Sequence, residues 1–342
     1  MKTPNAILFF LFISFVATAQ KDEKPYMVKT FSANAIKNLK MNTSGGGLAV
    51  TGTSDPQARI EVYVRNGSGN DEISKEEIEE RLKNYELSVS QNGNTIVTFA
   101  KNKINNLNKK WLSIGFKAFM PENITTDLNT SGGGISVKGI TGNAIGRTSG
   151  GSIAVEKCKN KVAFKTSGGS ISAINCSGDI DLSTSGGSIS AIDLDGTIDL
   201  ITSGGSISLD NLKGNTRAIT SGGSIKATEL RGESMVKTSG GSITLREIYG
   251  TLDAATSAGN MDVEIMELGK SLKLSVSAGN MNVKMPLNKG INLDCSAQKV
   301  SMGTLTNFDG EFDKAYVKGK LNGGGIPVNM KVSSGNLTLR GF

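Results

Sequence analysis

The sequence predicts an all-β protein: a parallel β-solenoid (β-helix) of about 18-residue coils, preceded by a β-rich N-terminal cap that contains one short helix. The hexapeptide Thr-Ser-Gly-Gly-Ser-Ile recurs every 18 residues through the middle of the chain, and a short fixed period is typical of repeat architectures. Within each repeat, apolar residues stand two positions apart, which is the periodicity of a strand with one buried side. The copies begin at Thr148, Thr166, Thr184, Thr202, Thr220 and Thr238.

The first residues predict export. Residues 1–19 contain Lys2, an apolar run from Ile7 to Val16, and small residues before a cleavage point at Gln20. This is the pattern of a secretory signal peptide, and the apolar run is too short to span a bilayer as an anchor. We therefore expect export to the periplasm, the cell surface or the extracellular medium, with no transmembrane segment in the mature chain.

Composition narrows the function classes. The chain of 342 residues has 43 glycines, no histidine and a net charge of +7. The absence of histidine from the sequence excludes His-based triads, His general bases and His metal ligands. The positive charges are spread along the chain, so we expect no nucleic-acid partner. We also expect no metal site and no cofactor.

The region 20–127 lacks the regular repeat and is predicted to be the cap. Its predicted elements are strands at 58–65, 87–89, 95–99 and 111–119, a hairpin turn at Asn92-Gly93 and a helix over 74–82. Ser74 and Glu77 have the spacing of a capping box at the start of that helix, and Asn-Gly is a strong hairpin signal. A cap is expected because an open sheet edge invites aggregation; ligand binding by surface loops is the alternative.

Residues 128–342 are predicted to form the solenoid. With the threonine of each copy as offset zero, apolar residues occupy offsets five, seven, ten, fourteen and sixteen, and we expect them to share one interior. Offset ten carries Ile140, Cys158, Cys176, Leu194, Leu212, Leu230, Ile248 and Met266. Two glycine-rich corners, Ser-Gly-Gly at offsets one to three and the glycine at offset twelve, are expected to use positive φ angles.

Cys158 and Cys176 share offset ten in adjacent coils. Stacking would place their Cα atoms about 4.8 Å apart, within disulfide range, and an exported protein meets an oxidising compartment. The column is otherwise aliphatic, so two buried thiols that act as small hydrophobic side chains are the alternative. The sequence leaves both open, and Cys295 has no obvious partner.

Outward serines form the candidate binding face. Offsets four and six carry Ser170, Ser172, Ser188, Ser190, Ser206 and Ser208 in three adjacent coils. They would form a flat array of hydroxyl groups able to bind a protein or a glycan; the alternative is that small polar residues merely suit a tight exposed strand. Five aspartates between 179 and 199 are predicted to be a solvated face and not a weak calcium site, since the regular Asp of calcium-binding solenoids is missing.

The chain resembles a known bacterial family. The serial Thr-Ser-Gly-Gly-Ser-Ile copies, followed by Gly-Gly-Gly-Ile-Pro-Val at 323–328 and Ser-Ser-Gly-Asn-Leu at 333–337, resemble the bacterial putative-adhesin family of β-strand-repeat proteins. That family is related to the head-GIN-domain putative adhesins. The resemblance covers most of the mature chain and is strongest over 128–342. It implies an exported or envelope protein and brings no catalytic residue with it.

The sequence therefore predicts an exported, non-enzymatic adhesin or cell-envelope interaction module whose partner is a protein or glycan ligand. Two alternatives stay open. One is a periplasmic scaffold or envelope-stress accessory protein. The other is a polysaccharide-active β-helix enzyme, which the short corners and the scarcity of aromatic residues disfavour.

Overall fold

The computed structural model describes residues 24–67, 73–103 and 111–342. The predicted signal peptide over 1–19 lies outside these residues. Strands account for 67% of the chain and helices for 4%, which confirms the predicted all-β class. The strands form one long sheet that does not close on itself.

The N-terminal region combines strands with one helix. Its elements are β1 (Met27–Ser32), a 3-10 turn (Ala33–Ala35), β2 (Asn38–Thr43), β3 (Leu48–Thr53), β4 (Gln57–Asn66), α1 (Lys75–Leu82), β5 (Tyr85–Asn92), β6 (Thr95–Asn102) and β7 (Leu112–Pro121). The Ser74 hydroxyl accepts a hydrogen bond from the Glu77 N–H at 3.2 Å, which confirms the predicted start of α1. Gly93 has a φ of +58° in the turn between β5 and β6, so the predicted hairpin is also confirmed.

The repeat region consists of parallel strands. They are β8 (Thr125–Thr130), β9 (Ile135–Lys138), β10 (Ala144–Arg147), β11 (Ile153–Glu156), β12 (Lys161–Thr166), β13 (Ile171–Ile174), β14 (Ser177–Thr184), β15 (Ile189–Thr202), β16 (Ile207–Thr220), β17 (Ile225–Thr238), β18 (Ile243–Ala258) and β19 (Met261–Ala278). From β8 to β18, each paired residue lies opposite the residue 18 positions further on, as Ile153 does with Ile171 and Ile189 with Ile207. Successive copies of the hexapeptide therefore stack directly on one another.

The apolar offsets point into the stack. Ile180, Leu182 and Ile189 are each at most 1% exposed, as are most of their equivalents in neighbouring copies. Period-two alternation explains this pattern, because successive side chains of a strand point to opposite faces of the sheet. The interior is one continuous hydrophobic core that runs through the described part of the chain.

The register changes between β18 and β19. Leu252 pairs with Leu272, which is 20 residues further on, so the strand pair takes up two extra residues. This shift turns Met266 outward, where it is 38% exposed, while Leu268 is buried. The predicted inward position of Met266 is therefore wrong.

Glycines make two kinds of corner. At offset twelve, Gly196 and Gly214 have φ angles of +130° and +104°, as predicted. The Ser-Gly-Gly corners differ, because Gly187 lies outside the left-handed region and a Cβ there would stand 2.1 Å from the Gly169 carbonyl oxygen. The predicted positive φ is wrong for these corners, and glycine is required there by the close approach of neighbouring coils.

The C-terminal region continues the stack with shorter strands. They are β20 (Met281–Met285), β21 (Ile291–Ser296), β22 (Lys299–Met302), β23 (Phe308–Phe312), β24 (Tyr316–Leu321), β25 (Ile326–Ser334) and β26 (Asn336–Gly341). Strands β25 and β26 lie between β19 and β20 on one side and β21 and β22 on the other. The last two strands of the chain thus lie inside the stack, and β21 and β22, which precede them in sequence, lie further toward its end.

At the N-terminal end of the stack, two strands are likewise inserted between strands that are distant from them in sequence. Strands β2 and β3 pair in parallel with β8 and β9 on one side and with β6 and β7 on the other. Antiparallel strands β1, β4 and β5 then flank this end, as β23 and β24 do at the C-terminal end. Both ends are therefore built by segments that return from elsewhere in the chain.

Candidate functional site

All six predicted serines line one shallow groove on the outer face of the sheet, with a volume of about 820 Å³. We call it the serine groove. Its floor is formed by β3, β9, β11, β13 and β15, which pair in parallel in that order. Ser188 and Ser190 face outward because Ile189 between them is buried, at 1% exposed. The alternation that builds the core thus also builds the groove.

The offset-four serines bond to the neighbouring coil. The Ser188 N–H donates to Ser170 Oγ at 3.2 Å, and the Ser206 N–H donates to Ser188 Oγ at 3.2 Å. The same contact recurs from Ser152 to Asn260. Each hydroxyl therefore accepts a structural hydrogen bond and keeps its own proton to donate to a ligand. These serines can therefore have a structural role and still contribute hydroxyl groups to a ligand-binding face.

The offset-six serines are placed differently. Ser172, Ser190 and Ser208 stand opposite one another in consecutive parallel strands. Parallel strands lie about 4.8 Å apart, so these hydroxyls recur along the stack at that spacing. A ligand that extends along the stack would meet the same donor and acceptor at every step.

One end of the serine groove is closed by an aromatic residue and a cation. Tyr63 pairs with Gly115 across β4 and β7, and it is 9% exposed. The ammonium of Lys117 stands 4.5 Å from the centre of the Tyr63 ring, a favourable cation–π distance. The Tyr63 hydroxyl donates to Glu61 at 2.8 Å. Sequence reasoning missed these residues.

One feature of the sequence could have predicted which strands form this end of the serine groove. Thr43 opens a copy of the hexapeptide, Thr-Ser-Gly-Gly-Gly-Leu, inside the region predicted as a cap. The Thr130 hydroxyl donates to the Gly46 carbonyl at 2.9 Å, so this copy stacks on the one that begins at Thr130. Recognising it would have placed β2 and β3 next to β8 and β9 and brought Gly47 into the serine groove.

Cys158 and Cys176 are buried free thiols in adjacent coils. The Cys158 N–H lies 3.5 Å from the Cys176 sulfur, and each thiol donates to the backbone carbonyl two residues earlier. The hydrogen bond with Cys176, together with burial, raises the pKa of Cys158 above its ordinary value. Burial, with a smaller contribution from Asp294, raises the pKa of Cys295 to about 12. A thiol with a raised pKa is a poor nucleophile at neutral pH.

The five aspartates between 179 and 199 are exposed or half-buried. Burial, followed by repulsion from Asp199, raises the pKa of Asp181. Asp199 itself pairs with Arg217 at 2.7 Å. Among the described residues, no group of three or more Cys, Asp or Glu side chains is arranged to hold a metal ion.

None of the helices in the part of the chain that the structure describes has the length and hydrophobicity needed to cross a membrane.

Several solved structures are similar to this chain at low sequence identity. A putative adhesin from Parabacteroides merdae ATCC 43184 is 12% identical over 93% of this chain and 97% of its own, with a TM-score of 0.35. A putative adhesin from Bacteroides fragilis NCTC 9343 is 14% identical over 76% of this chain and 96% of its own, with a TM-score of 0.31. A putative lipid binding protein from Parabacteroides distasonis ATCC 8503 is 10% identical over 94% of this chain and 98% of its own, with a TM-score of 0.25. No curated protein matches the chain.

The family model described as Toastrack DUF4097 matches residues 15–340. This range contains the whole repeat and both of the inserted ends. The resemblance drawn from the hexapeptide copies is confirmed, and the chain belongs to the Toastrack DUF4097 family.

Proposed function

We propose that this chain is an exported, non-enzymatic interaction module that binds an extended protein or glycan ligand along the serine groove. In this proposal the module acts as an adhesin or as a cell-envelope binding protein. The single observation that carries it is the position of all six predicted serines in one open groove that crosses several coils.

The shape of the groove favours an extended ligand. Its floor has small side chains, such as Ala49, Ala154 and Ser172, so a polymer can lie close to the backbone. Equivalent hydroxyls recur at about the strand spacing of 4.8 Å, which suits a ligand with its own repeating hydrogen-bonding groups. Each contact is weak, and affinity then grows with the number of coils that the ligand spans.

Blocking the groove tests this proposal. Ser190→Arg places a long charged side chain in the middle of the serine groove. Thr244→Arg is the matched control, because Thr244 occupies the same offset in a coil outside the groove. Both variants and the wild type are screened against arrays of glycans and of extracellular proteins. The proposal expects ligands that Thr244→Arg still binds and Ser190→Arg loses; equal binding by both variants would refute it.

The same proposal includes the boundaries of the chain's parts. Residues 1–19 act as a signal peptide, 20–127 cover one end of the stack, and 128–342 form a solenoid of about 18-residue coils. The antiparallel strands β1, β4 and β5 at that end support the covering role, since they complete the sheet there. Mass determination of the exported protein tests the cleavage point, with Gln20 expected as its first residue.

A further inference from the structure

A second groove lies on the other side of the Ser-Gly-Gly corners and has a volume of about 620 Å³. It is built by an outward column that runs through β6, β2, β8, β10 and β12. The column consists of Phe99, Asn42, Asn129, Arg147 and Lys165, each paired in register with the next. Beside it runs a column of corner serines that begins next to Lys101. We call this second groove the cationic groove.

The charge of this groove is one-sided. Its lining contains Lys101, Arg147 and Lys165 and includes no Asp or Glu. Among the described residues, no ion pair holds any of these three cations, although several other cations of the chain are paired, such as Lys138 with Glu156 and Arg217 with Asp199. All three are exposed. Three cations along a groove whose lining has no carboxylate produce a positive potential that attracts anions.

The uncharged side chains that line the cationic groove are of the types that bind sugars in proteins. Phe99 is half-buried at one end of the column and presents an aromatic side chain to the groove. The Asn129 side-chain NH2 donates a hydrogen bond at 2.8 Å to Asp127, which is in the same strand but outside this column. The amide oxygen of Asn129 remains available as an acceptor. Amides, hydroxyls and an aromatic surface suit the hydroxyls and the apolar faces of sugar rings.

The spacing of these groups suits a polymer. Five strands at about 4.8 Å place Phe99 and Lys165 about 19 Å apart. Arg147 and Lys165 stand on adjacent strands, so they can contact successive anionic groups. Lys101, at the opposite end, would contact a third. A single small anion would engage only one end of this arrangement.

From this arrangement we propose that the cationic groove binds an acidic polysaccharide, a chain of sugars that bear carboxylate groups. Arg147, Lys165 and Lys101 bind the carboxylates, Asn42 and Asn129 bind sugar hydroxyls, and Phe99 packs against a sugar ring. This goes beyond the serine groove, because it assigns a second ligand class to a different face of the stack. The two proposals can fail independently, since they rest on different residues.

Binding of polygalacturonate to the full mature chain tests this inference. The matched ligand is the same polymer with its carboxylates converted to methyl esters, which keeps the sugar backbone and removes the charge. Calorimetry at low salt is expected to show binding to the acid form that is at least tenfold tighter than to the ester. Binding of the acid form should weaken as salt is raised, because screening reduces attraction between exposed charges.

Two sets of variants locate the site. Arg147→Gln combined with Lys165→Gln is expected to weaken polygalacturonate binding about tenfold or more, since it removes two charge-assisted contacts. Lys213→Gln combined with Lys331→Gln removes the same charge from exposed positions elsewhere and is expected to leave binding within about twofold. Phe99→Ala is expected to weaken binding about threefold or more. The four charged positions are exposed and Phe99 is half-buried with its side chain on the outer face, so circular dichroism should show an unchanged fold.

Three results would overturn the inference. The first is no binding of polygalacturonate at low salt. The second is equal weakening by the two double variants, which would mean attraction by net charge alone. The third is binding of phosphatidylglycerol vesicles or of single-stranded DNA as tight as that of polygalacturonate, which would mean that the groove recognises anions without regard to sugar.

Discussion

The Thr184 hydroxyl donates a hydrogen bond to the carbonyl of Gly169 in the preceding coil at 2.8 Å, and it accepts one from the N–H of Gly187 in its own corner at 3.3 Å. The same pair of contacts recurs from Thr148 to Thr238. Each threonine therefore closes its own corner and joins it to the next coil. This relationship gives the first and fourth residues of the hexapeptide a physical cause.

Removal of this hydroxyl should destabilise the stack. Thr184→Val keeps the shape of the side chain but leaves the Gly169 carbonyl and the Gly187 N–H without their partner. We expect a loss of about 2 kcal/mol in the free energy of unfolding, measured by urea denaturation. Thr184→Ser retains the hydroxyl and should lose clearly less. Equal losses in the two variants would mean that the methyl group, and not the hydrogen bonds, stabilises the corner.

The two glycines of a corner should respond differently to alanine. A Cβ on Gly187 would stand 2.1 Å from the Gly169 carbonyl oxygen, whereas a Cβ on Gly186 would have 3.5 Å to its nearest neighbour. Gly187→Ala is expected to lower the unfolding free energy by about 3 kcal/mol, and Gly186→Ala to change it by less than about 0.5 kcal/mol. The sequence agrees, since Ala258 stands at the position equivalent to Gly186 in a later copy of the hexapeptide. A reversed order would contradict the stacking of the corners.

A charge on an inward position should unfold neighbouring coils. Leu182 is fully buried, and Leu182→Asp would bury a carboxylate without a partner, at an expected loss of about 4 kcal/mol or more. Ser183→Asp is the matched control on the next, outward position, where Lys165 of the adjacent strand is its register partner. Thermal unfolding followed by circular dichroism should show a large drop for the first variant only. Wild-type stability of Leu182→Asp would contradict the assignment of inward and outward faces.

Two buried threonines should be replaceable with a gain in stability. The hydroxyls of Thr98 and Thr126 are buried without a hydrogen-bond partner in the described structure. Valine has nearly the same shape and no polar atom, so Thr98→Val and Thr126→Val should each raise the unfolding free energy by about 1 kcal/mol. Urea denaturation of the two single variants measures this. A loss in both would show that the hydroxyls have partners.

Burial of Cys295 predicts a dependence of stability on alkaline pH. The pKa of this thiol is raised to about 12 in the folded state, above its unfolded value near 8.5. The folded state therefore holds the proton more tightly, and this contribution is complete below pH 8.5 and is lost as the pH rises toward 12. Between pH 8 and 11 the wild type should lose about 3 kcal/mol more unfolding free energy than Cys295→Val, which does not titrate there. Parallel losses in the two proteins would show that Cys295 is accessible to water.

Sequence periodicity predicted the middle of the molecule and failed where the period breaks. The apolar offsets and the outward serines follow from alternation alone, so Leu182 and Ser190 lie where they were expected. Met266 was misplaced because two inserted residues in the same stretch change which side chains alternate inward. The insertion of β2 and β3 beside β8 could be found only from the isolated copy at Thr43, since local patterns do not reveal pairing between distant segments.

A third corner of each coil also escaped prediction. Asn175, Asp193 and Asn211 at offset nine have φ angles of +56°, +54° and +52°. Asn and Asp tolerate this left-handed conformation better than other residues with a side chain. However, Lys157 and Glu229 occupy the same offset with φ angles of +55° and +57°. The backbone path of the stacked coils imposes the corner there, and no residue type marks it.

Accessibility of the protein on intact cells tests the proposed extracytoplasmic interaction role most directly. Ser185→Cys places a thiol on an exposed corner, and the three native cysteines are buried, so a membrane-impermeant maleimide should react only at the new position. We expect labelling of intact cells that produce this variant, at a level close to that of opened cells, and no labelling of the wild type. Labelling that appears only after the cells are opened would contradict a surface adhesin and place the protein inside the envelope.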